Sequence, residues 1–290
     1  MSGQTRATPS GQIISKKEPT MSNIESNNKI TLDNPQCRLC GGNLLHRFNI
    51  TVLRKYTVPY YECEKCLSLQ TEQPYWLDEA YNHLSGLDTG AAQRNIHNLA
   101  ACYTLSRLFN FKNVIDIGGG DGLLCRLLRD YDINCFVKDK YAKPTYAQGF
   151  TEPDFVKPDF IIALEVFEHF SNPITDLEQL FGYNANALLV STGIYNNQTA
   201  DWWYLAPEGG QHVFFYSEPA LLLIAKRYDY ELIISGGFIL FIRKALLTPV
   251  KTVLAKLALK SLVCRLTKAG VFLLPARGSW KDHLSLKDNG

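Results

Sequence analysis

Four cysteines stand in two pairs, Cys37-Arg38-Leu39-Cys40 and Cys63-Glu64-Lys65-Cys66, with twenty-two residues between the pairs. Thiolates at this spacing can close around a tetrahedral Zn²⁺, each pair forming one knuckle. A redox role is disfavoured because the motif comes twice and outside a βαβ setting. Four sulfur ligands leave the ion no open position, so the metal would be structural. The residues between, among them Phe48, Ile50, Val52, Tyr56, Val58 and Tyr60, read as a short β-rich ribbon. A ribbon of this size buries too little apolar surface to fold alone, so the ion would supply folding energy. His46 lies inside the module, but Cys37, Cys40, Cys63 and Cys66 complete the ligand set without it.

The second constellation is Val114-Ile115-Asp116-Ile117-Gly118-Gly119-Gly120-Asp121-Gly122-Leu123. Val114 to Ile117 suit a buried parallel strand, and Leu123, Leu124, Leu127 and Leu128 resume at helical spacing with Asp121 placed as a cap. Gly118, Gly120 and Gly122 lack a Cβ, so a ligand can press against the backbone above the strand. A dinucleotide fingerprint needs a small residue where Leu123 stands, and no Lys-Ser/Thr pair follows the glycines as a triphosphate loop requires. Asp139 follows the next apolar run, Ile133 to Val137, twenty-three residues after Asp116. An acid at that strand tip can take both hydroxyls of a ribose.

The third constellation, Glu165-Val166-Phe167-Glu168-His169, closes the apolar run Asp159 to Leu164. Strand termini at this edge are where open α/β sheets bind ligands. His212 lies in Asp201 to Tyr216, a loop dense in aromatics and glycines. Imidazole titrates at about 6.5, which suits removal of a proton from a hydroxyl, so His212 and His169 are the candidate general bases. Trp202, Trp203 and Tyr204 read as an aromatic wall on which a sugar could stack.

These groups need a scaffold, and 290 residues with 46% apolar content suffice for one α/β domain plus a smaller appendage. Residues 1–34 are polar and aperiodic and should be mobile, with Met1 and Met21 both standing as starts. The zinc module is expected over 35–72 and the α/β domain over 73–245. Trp76, Leu77, Ala80, Tyr81 and Leu84, then Ala100 to Phe109, carry helical spacing, with a polar island from Asp88 to Asn95 between them. Tyr141 to Lys157, with two prolines and a glycine, offers neither a clean helix nor a strand; Asp154 there could meet an adenine amino group. Ala187 to Thr192 reads as a strand and Ser217 as a helix cap. Tyr230 to Ser235 and Phe238 to Arg243 read as a hairpin turned by Gly236-Gly237.

The remainder, 246–290, is a basic amphipathic segment. Thr248-Pro249 starts and Gly270 stops a helix with Val250, Val253, Leu254, Leu257 and Cys264 on one face and Lys251, Lys256 and Lys260 off it. That face either packs on the domain or attaches to an anionic membrane or a phosphate-bearing substrate. Nine Lys or Arg and no acid lie between Leu232 and Lys281; since the whole chain carries +2, the rest carries −7. No basic start with an apolar h-region and no run long enough to span a bilayer occurs, so a cytoplasmic location is expected, with peripheral membrane contact through the basic segment as the variant. Nucleic acid is disfavoured because the zinc module lacks a basic and aromatic interleave.

Asp116-x-Gly118-x-Gly120-x-Gly122 resembles the first motif of class I S-adenosylmethionine-dependent methyltransferases, and Glu165-x-x-Glu168-His169 resembles their fourth-strand motif. The resemblance implies a Rossmann-like seven-stranded α/β sheet and S-adenosylmethionine held by Asp116, Gly118, Gly120, Gly122, Asp139 and Glu165. It also implies Tyr81 or Arg94 near the methionine carboxylate. Glu165, Glu168, His169 and His212 further resemble the divalent-metal ligands of small-RNA 2′-O-methyltransferases, which implies a second, catalytic metal. The zinc module followed by such a domain, over Cys37 to Arg243, resembles bacterial sugar and polysaccharide methyltransferases, including deoxysugar C-methyltransferases. Transfer to a hydroxyl or carbon of a sugar, nucleotide sugar or glycan is the implied reaction. Zinc-bearing rRNA methyltransferases and an inactive interaction protein are the alternative readings.

Overall fold

The computed structural model describes residues 35–82 and 89–288. The polar segment 1–34, Leu84 and Asp88 lie outside the described residues. The four-cysteine module contributes β1 (Leu44–Val52), β2 (Tyr56–Cys63) and β3 (Leu69–Thr71), followed by α1 (Leu77–Asn82) and α2 (Ala91–Phe109). The α/β domain then runs β4 (Asn113–Ile117), α3 (Leu123–Asp130), β5 (Asn134–Lys138), β6 (Phe160–Leu164), α4 (Pro173–Gly182) and β7 (Ala187–Ser191). It continues with β8 (Phe214–Phe215), α5 (Glu218–Arg227), β9 (Glu231–Ser235) and β10 (Phe238–Ile242), and the chain ends in α6 (Pro249–Ala258), α7 (Ser261–Phe272) and α8 (Arg277–Asp288).

The large sheet has the order β5-β4-β6-β7-β10-β9, parallel from β5 to β7 and antiparallel across β7, β10 and β9. Its central strands are buried on both faces, which is why β6 and β7 read as unbroken apolar runs. Gly236 and Gly237 both take positive φ, +61° and +87°, the conformation a tight hairpin turn demands, and they join β9 to β10 as expected. Ser217 caps α5 by accepting from the Ala220 N–H, and Thr248 caps α6 by accepting from the Lys251 N–H. Asp121 sits one residue before the α3 cap position, which Gly122 takes, yet its carboxylate still accepts from the Leu123 N–H.

Among the described residues the large sheet has six strands where seven are expected. The stretch 141–157, which would supply the missing one, makes no strand or helix; Phe150 merely accepts one hydrogen bond from Val137 at the edge of β5. Pro144 and Pro153 lack the N–H a ladder needs, and Gly149 takes φ +83°. Asp154 is held at the opposite end of β5 from Asp139, accepting from the Asn134 side chain, so it does not stand at the ligand edge.

The small sheet has the order β1-β2-β3-β8, so its last strand comes from the loop that carries His212. The expected single C-terminal helix is two: it breaks where Lys260 turns extended, and Gly270 lies inside α7. Its orientation also differs from a face packed on the domain. Ala255, Ala258 and Leu259 are buried, whereas Val250, Val253, Leu254 and Leu257 point to solvent.

Candidate active site

The four cysteine sulfurs lie within 4.8 Å of one another, with Cys37 Sγ 3.7 Å from Cys66 Sγ and Cys40 Sγ 3.5 Å from Cys63 Sγ. These separations fit the edges of a tetrahedron whose metal–sulfur bonds are about 2.3 Å and are far too long for disulfides. The N–H groups of Lys65 and Cys66 aim at the Cys63 sulfur, and a Cβ at Gly42 would stand 2.8 Å from it. The residues present therefore fit Zn²⁺.

Arg38, between the first two cysteines, reaches out of this module. Its guanidinium donates to the carbonyls of Thr71 at 3.1 Å, Val213 at 2.7 Å and Ser171 at 3.3 Å. Burial pushes it down to about 10, so it remains charged at neutral pH.

At the carboxyl edge of β4, each glycine answers a different constraint. A Cβ at Gly118 would come within 2.6 Å of Val166, one at Gly119 within 2.4 Å of the Asp116 carboxylate, and one at Gly122 within 2.8 Å of Ala147. Above Gly120, at φ +57°, the space is open. The Gly120 N–H donates to Asp139 at 2.9 Å, and the N–H groups of Tyr141 and Ala142 donate to its other oxygen. Asp139 thus fixes the loop while keeping lone pairs for a further donor. Asp116 is buried with one oxygen lacking a partner among the described residues, and burial, reinforced by Asp139, pushes its carboxyl up to about 7. A cleft of about 290 Å³ opens beside this loop, lined by Val137, Lys138, Asp139, Pro144, Thr151 and Glu152. Open backbone, a ribose-height carboxylate and an unpartnered buried acid together fit a cationic, nucleoside-bearing cofactor.

Next along the edge, Glu165 takes φ +54°, a left-handed conformation rare for a residue with a side chain and found where a site imposes it. Its N–H donates to the Ser191 carbonyl, and its carboxylate accepts from Ser191 Oγ at 2.6 Å. Tyr204 Oη lies 2.8 Å from Glu165 and 2.7 Å from Glu168. One phenol proton cannot serve two carboxylates. Tyr204 Oη is within donating reach of either carboxylate, and burial, with Glu165 beside it, pushes the Glu168 carboxyl up to about 8.

The histidines complete the cluster. His212 Nδ1 donates to the Tyr204 carbonyl at 2.7 Å, which leaves Nε2 as the acceptor, 4.0 Å from Glu168. His169 Nδ1 meets Tyr81 Oη at 3.0 Å, and its Nε2 is 3.9 Å from the same carboxyl. Burial pushes His169 down to about 3 and lowers His212, so both rings are neutral. Ligand atoms of Glu168, His169 and His212 lie within 4.8 Å of one another, a set that could hold a cation.

Tyr81 stacks on Tyr141, ring centres 3.9 Å apart and 10° between planes, and thereby bridges the glycine-loop side to His169. Arg94 stands exposed in the first turn of α2, with none of these groups as a hydrogen-bonding partner of its backbone N–H, which goes to Gly90. Tyr204 is no part of an outer wall: it is 4% exposed and lies under Trp202 and Trp203, each 5.4 Å from it. Those two tryptophans line a second cleft of about 340 Å³ with Asn197, Gln198, Thr199 and Asp201. Sequence reading missed Arg38, Gly119, Ser191 and the buried role of Tyr204. Only Gly119 carried a signal, as the middle of three consecutive glycines.

Fold and site together define a class I methyltransferase. Residues 87–234, just over half of the chain, match the family described as a methyltransferase domain, and the protein belongs to that family. Among solved structures, the methyltransferase domain of bacterial CtHen1-C is similar at 18% identity over 51% of this chain and 98% of that one, with a TM-score of 0.39. An O-methyltransferase family protein from Burkholderia thailandensis is similar at 14% identity over 53% and 56%, with a TM-score of 0.42. Magnesium protoporphyrin IX methyltransferase from Synechocystis PCC 6803 is similar at 13% identity over 59% and 93%, with a TM-score of 0.38. No match to a curated protein is found.

Proposed function

We propose that the protein transfers a methyl group from S-adenosylmethionine to a hydroxyl of a sugar, presented as a glycan or nucleotide sugar. The observation that carries this reading is the position of Tyr204. It joins Glu165 and Glu168 at the cofactor edge to the floor under Trp202 and Trp203, so one residue separates the reacting edge from a polar and aromatic cleft. Trp203 is 81% exposed, an indole face open to stacking on a pyranose, and Asn197, Gln198, Thr199 and Asp201 offer hydroxyl partners.

When bound, S-adenosylmethionine supplies an electrophilic sulfonium methyl. Gly118, Gly120 and Asp139 would hold its nucleoside part, and the unpartnered oxygen of Asp116 suits a cationic group. Glu168, Tyr204 and Glu165 form a proton-sharing chain that can accept a hydroxyl proton. The neutral histidines favour a second reading of the same reaction, in which Glu168, His169 and His212 hold a divalent cation that lowers the acceptor pKa.

Calorimetry with S-adenosylmethionine, followed by transfer of labelled methyl to a panel of nucleotide sugars and oligosaccharides, tests the reading. Product NMR separates O-methyl from C-methyl. Cofactor binding with labelling of RNA and not of sugars would reject the sugar acceptor; no cofactor binding would reject transferase activity itself.

A further inference from the structure

The C-terminal helices present an apolar surface that the α/β domain does not use. α6 turns Val250, Val253, Leu254 and Leu257 outward at i, i+3, i+4 and i+7, with Val250 67% exposed. α7 does the same with Leu262 and Leu266, 68% and 67% exposed, and Leu273 beyond its end is 87% exposed. Both helices rest on α2 through other residues, Ala255, Ala258 and Leu259 from α6 and Cys264 and Val271 from α7. Each stripe therefore faces away from α2. An apolar stripe of this length is costly in water and marks a contact surface.

The charges around it say what kind of contact. Lys256, Lys260 and Arg265 are exposed beside the stripes, and from Pro249 to Lys281 there is no acidic residue. A two-fold contact between copies would bring this unbroken cationic set against itself, which like-charge repulsion opposes. A surface that is apolar within and anionic at its face matches both features at once. No helix among the described residues is long and apolar enough to cross a membrane, so the geometry is that of helices lying in the interface with lysines at headgroup level.

We propose that α6 and α7 dock this protein on an anionic lipid bilayer, with Val250, Val253, Leu254, Leu257, Leu262 and Leu266 entering the acyl boundary. The test is sedimentation of the full chain with phosphatidylcholine vesicles, with and without about 30% phosphatidylglycerol, at low and high salt. Binding to the anionic vesicles, weakened by salt and at least tenfold stronger than to pure phosphatidylcholine, is expected. The double variant L262E/L266E should abolish it, and K256E/K260E should weaken it about tenfold or more, at about 1 kcal/mol per lysine. All four positions are exposed, so thermal melts should match the parent protein. Absence of binding to anionic vesicles would overturn the proposal, as would binding unchanged by both double variants. Lipid-free dimerisation, seen in analytical ultracentrifugation and lost in L262E/L266E, would assign the face to a second copy instead.

Discussion

Arg38, in the first cysteine knuckle, donates to the carbonyl of Val213 at 2.7 Å, and Val213 is the residue after His212. The Val213 N–H in turn donates to the Glu168 carbonyl at 2.8 Å. The four-cysteine module thereby holds the backbone next to His212 and, through Val213, at Glu168. Arg38→Met removes one donor from the carbonyls of Thr71, Val213 and Ser171; Val213 keeps the Thr71 N–H at 3.1 Å and Ser171 is only half-buried, so the cost is about 1–3 kcal/mol, that of one buried group left short of a donor. We expect a stability loss of about 1–3 kcal/mol in urea titration and a fall in kcat larger than the change in cofactor affinity, with one zinc per chain retained by elemental analysis. Full activity in a variant that keeps its zinc would show that the latch does not position the cluster.

Zinc removal tests the same coupling from the other side. β8 is two residues long and pairs with the three-residue β3 of the module, too short to persist without that partner. A strong chelator, or Cys63→Ser, should lower the melting temperature and abolish transfer together. Melting should become dependent on added Zn²⁺, as expected when binding energy is folding energy. Loss of zinc with an unchanged melt would show that the module is not structural.

Much of this arrangement was legible in the sequence because it rests on local patterns. The glycine run, the apolar strands around it and the two cysteine pairs each carry their own spacing, and the hairpin at Gly236-Gly237 announces its turn. The stretch 141–157 offers no clean strand in the sequence, yet the resemblance implied seven strands, and the prolines there prevail over that expectation. What escaped was everything decided by long-range packing. Nothing local tells that Arg38 bonds to Val213, 175 positions away, or that Tyr204 is buried while Trp203 is exposed. Of the two readings the sequence leaves open for the C-terminal apolar face, packing on the domain fails for a related reason: small Ala255 and Ala258 allow close approach to α2, and they decide the packing.

Asp116 predicts a pH dependence. Its folded carboxyl is pushed up to about 7, above its ordinary 3.8, by burial and then by Asp139. A group raised on folding contributes fully below its unfolded value, and that contribution is lost as pH rises through its folded value. Stability of the ligand-free protein should therefore fall between about pH 4 and 7, at up to about 1.4 kcal/mol per pH unit from this group. Asp116→Asn should flatten that slope in urea titrations at several pH values. Binding of a cationic cofactor favours the carboxylate, so affinity for S-adenosylmethionine should rise over the same window and level off above about pH 7. A variant with the parent's slope would place the titration elsewhere.

The trio Glu168, His169 and His212 predicts a second metal distinct from zinc. His212 Nδ1 is fixed by the Tyr204 carbonyl and His169 Nδ1 by Tyr81, so both Nε2 atoms are presented toward Glu168, the orientation that ligating imidazoles take from their outer partners. Mn²⁺ titrated into zinc-loaded protein should bind at one further equivalent per chain, read by electron paramagnetic resonance, and should raise kcat. Glu168→Gln should abolish this binding. Tyr81→Phe, which removes only the hydroxyl orienting His169, should weaken it by about 10–100-fold, the usual cost of losing an outer partner. EDTA treatment that spares the four-cysteine zinc gives the decisive contrast. If activity survives it unchanged and the zinc-loaded protein binds no Mn²⁺, Glu168 acts through Tyr204 as part of a proton chain, and the histidines serve to shape that chain rather than to hold a cation.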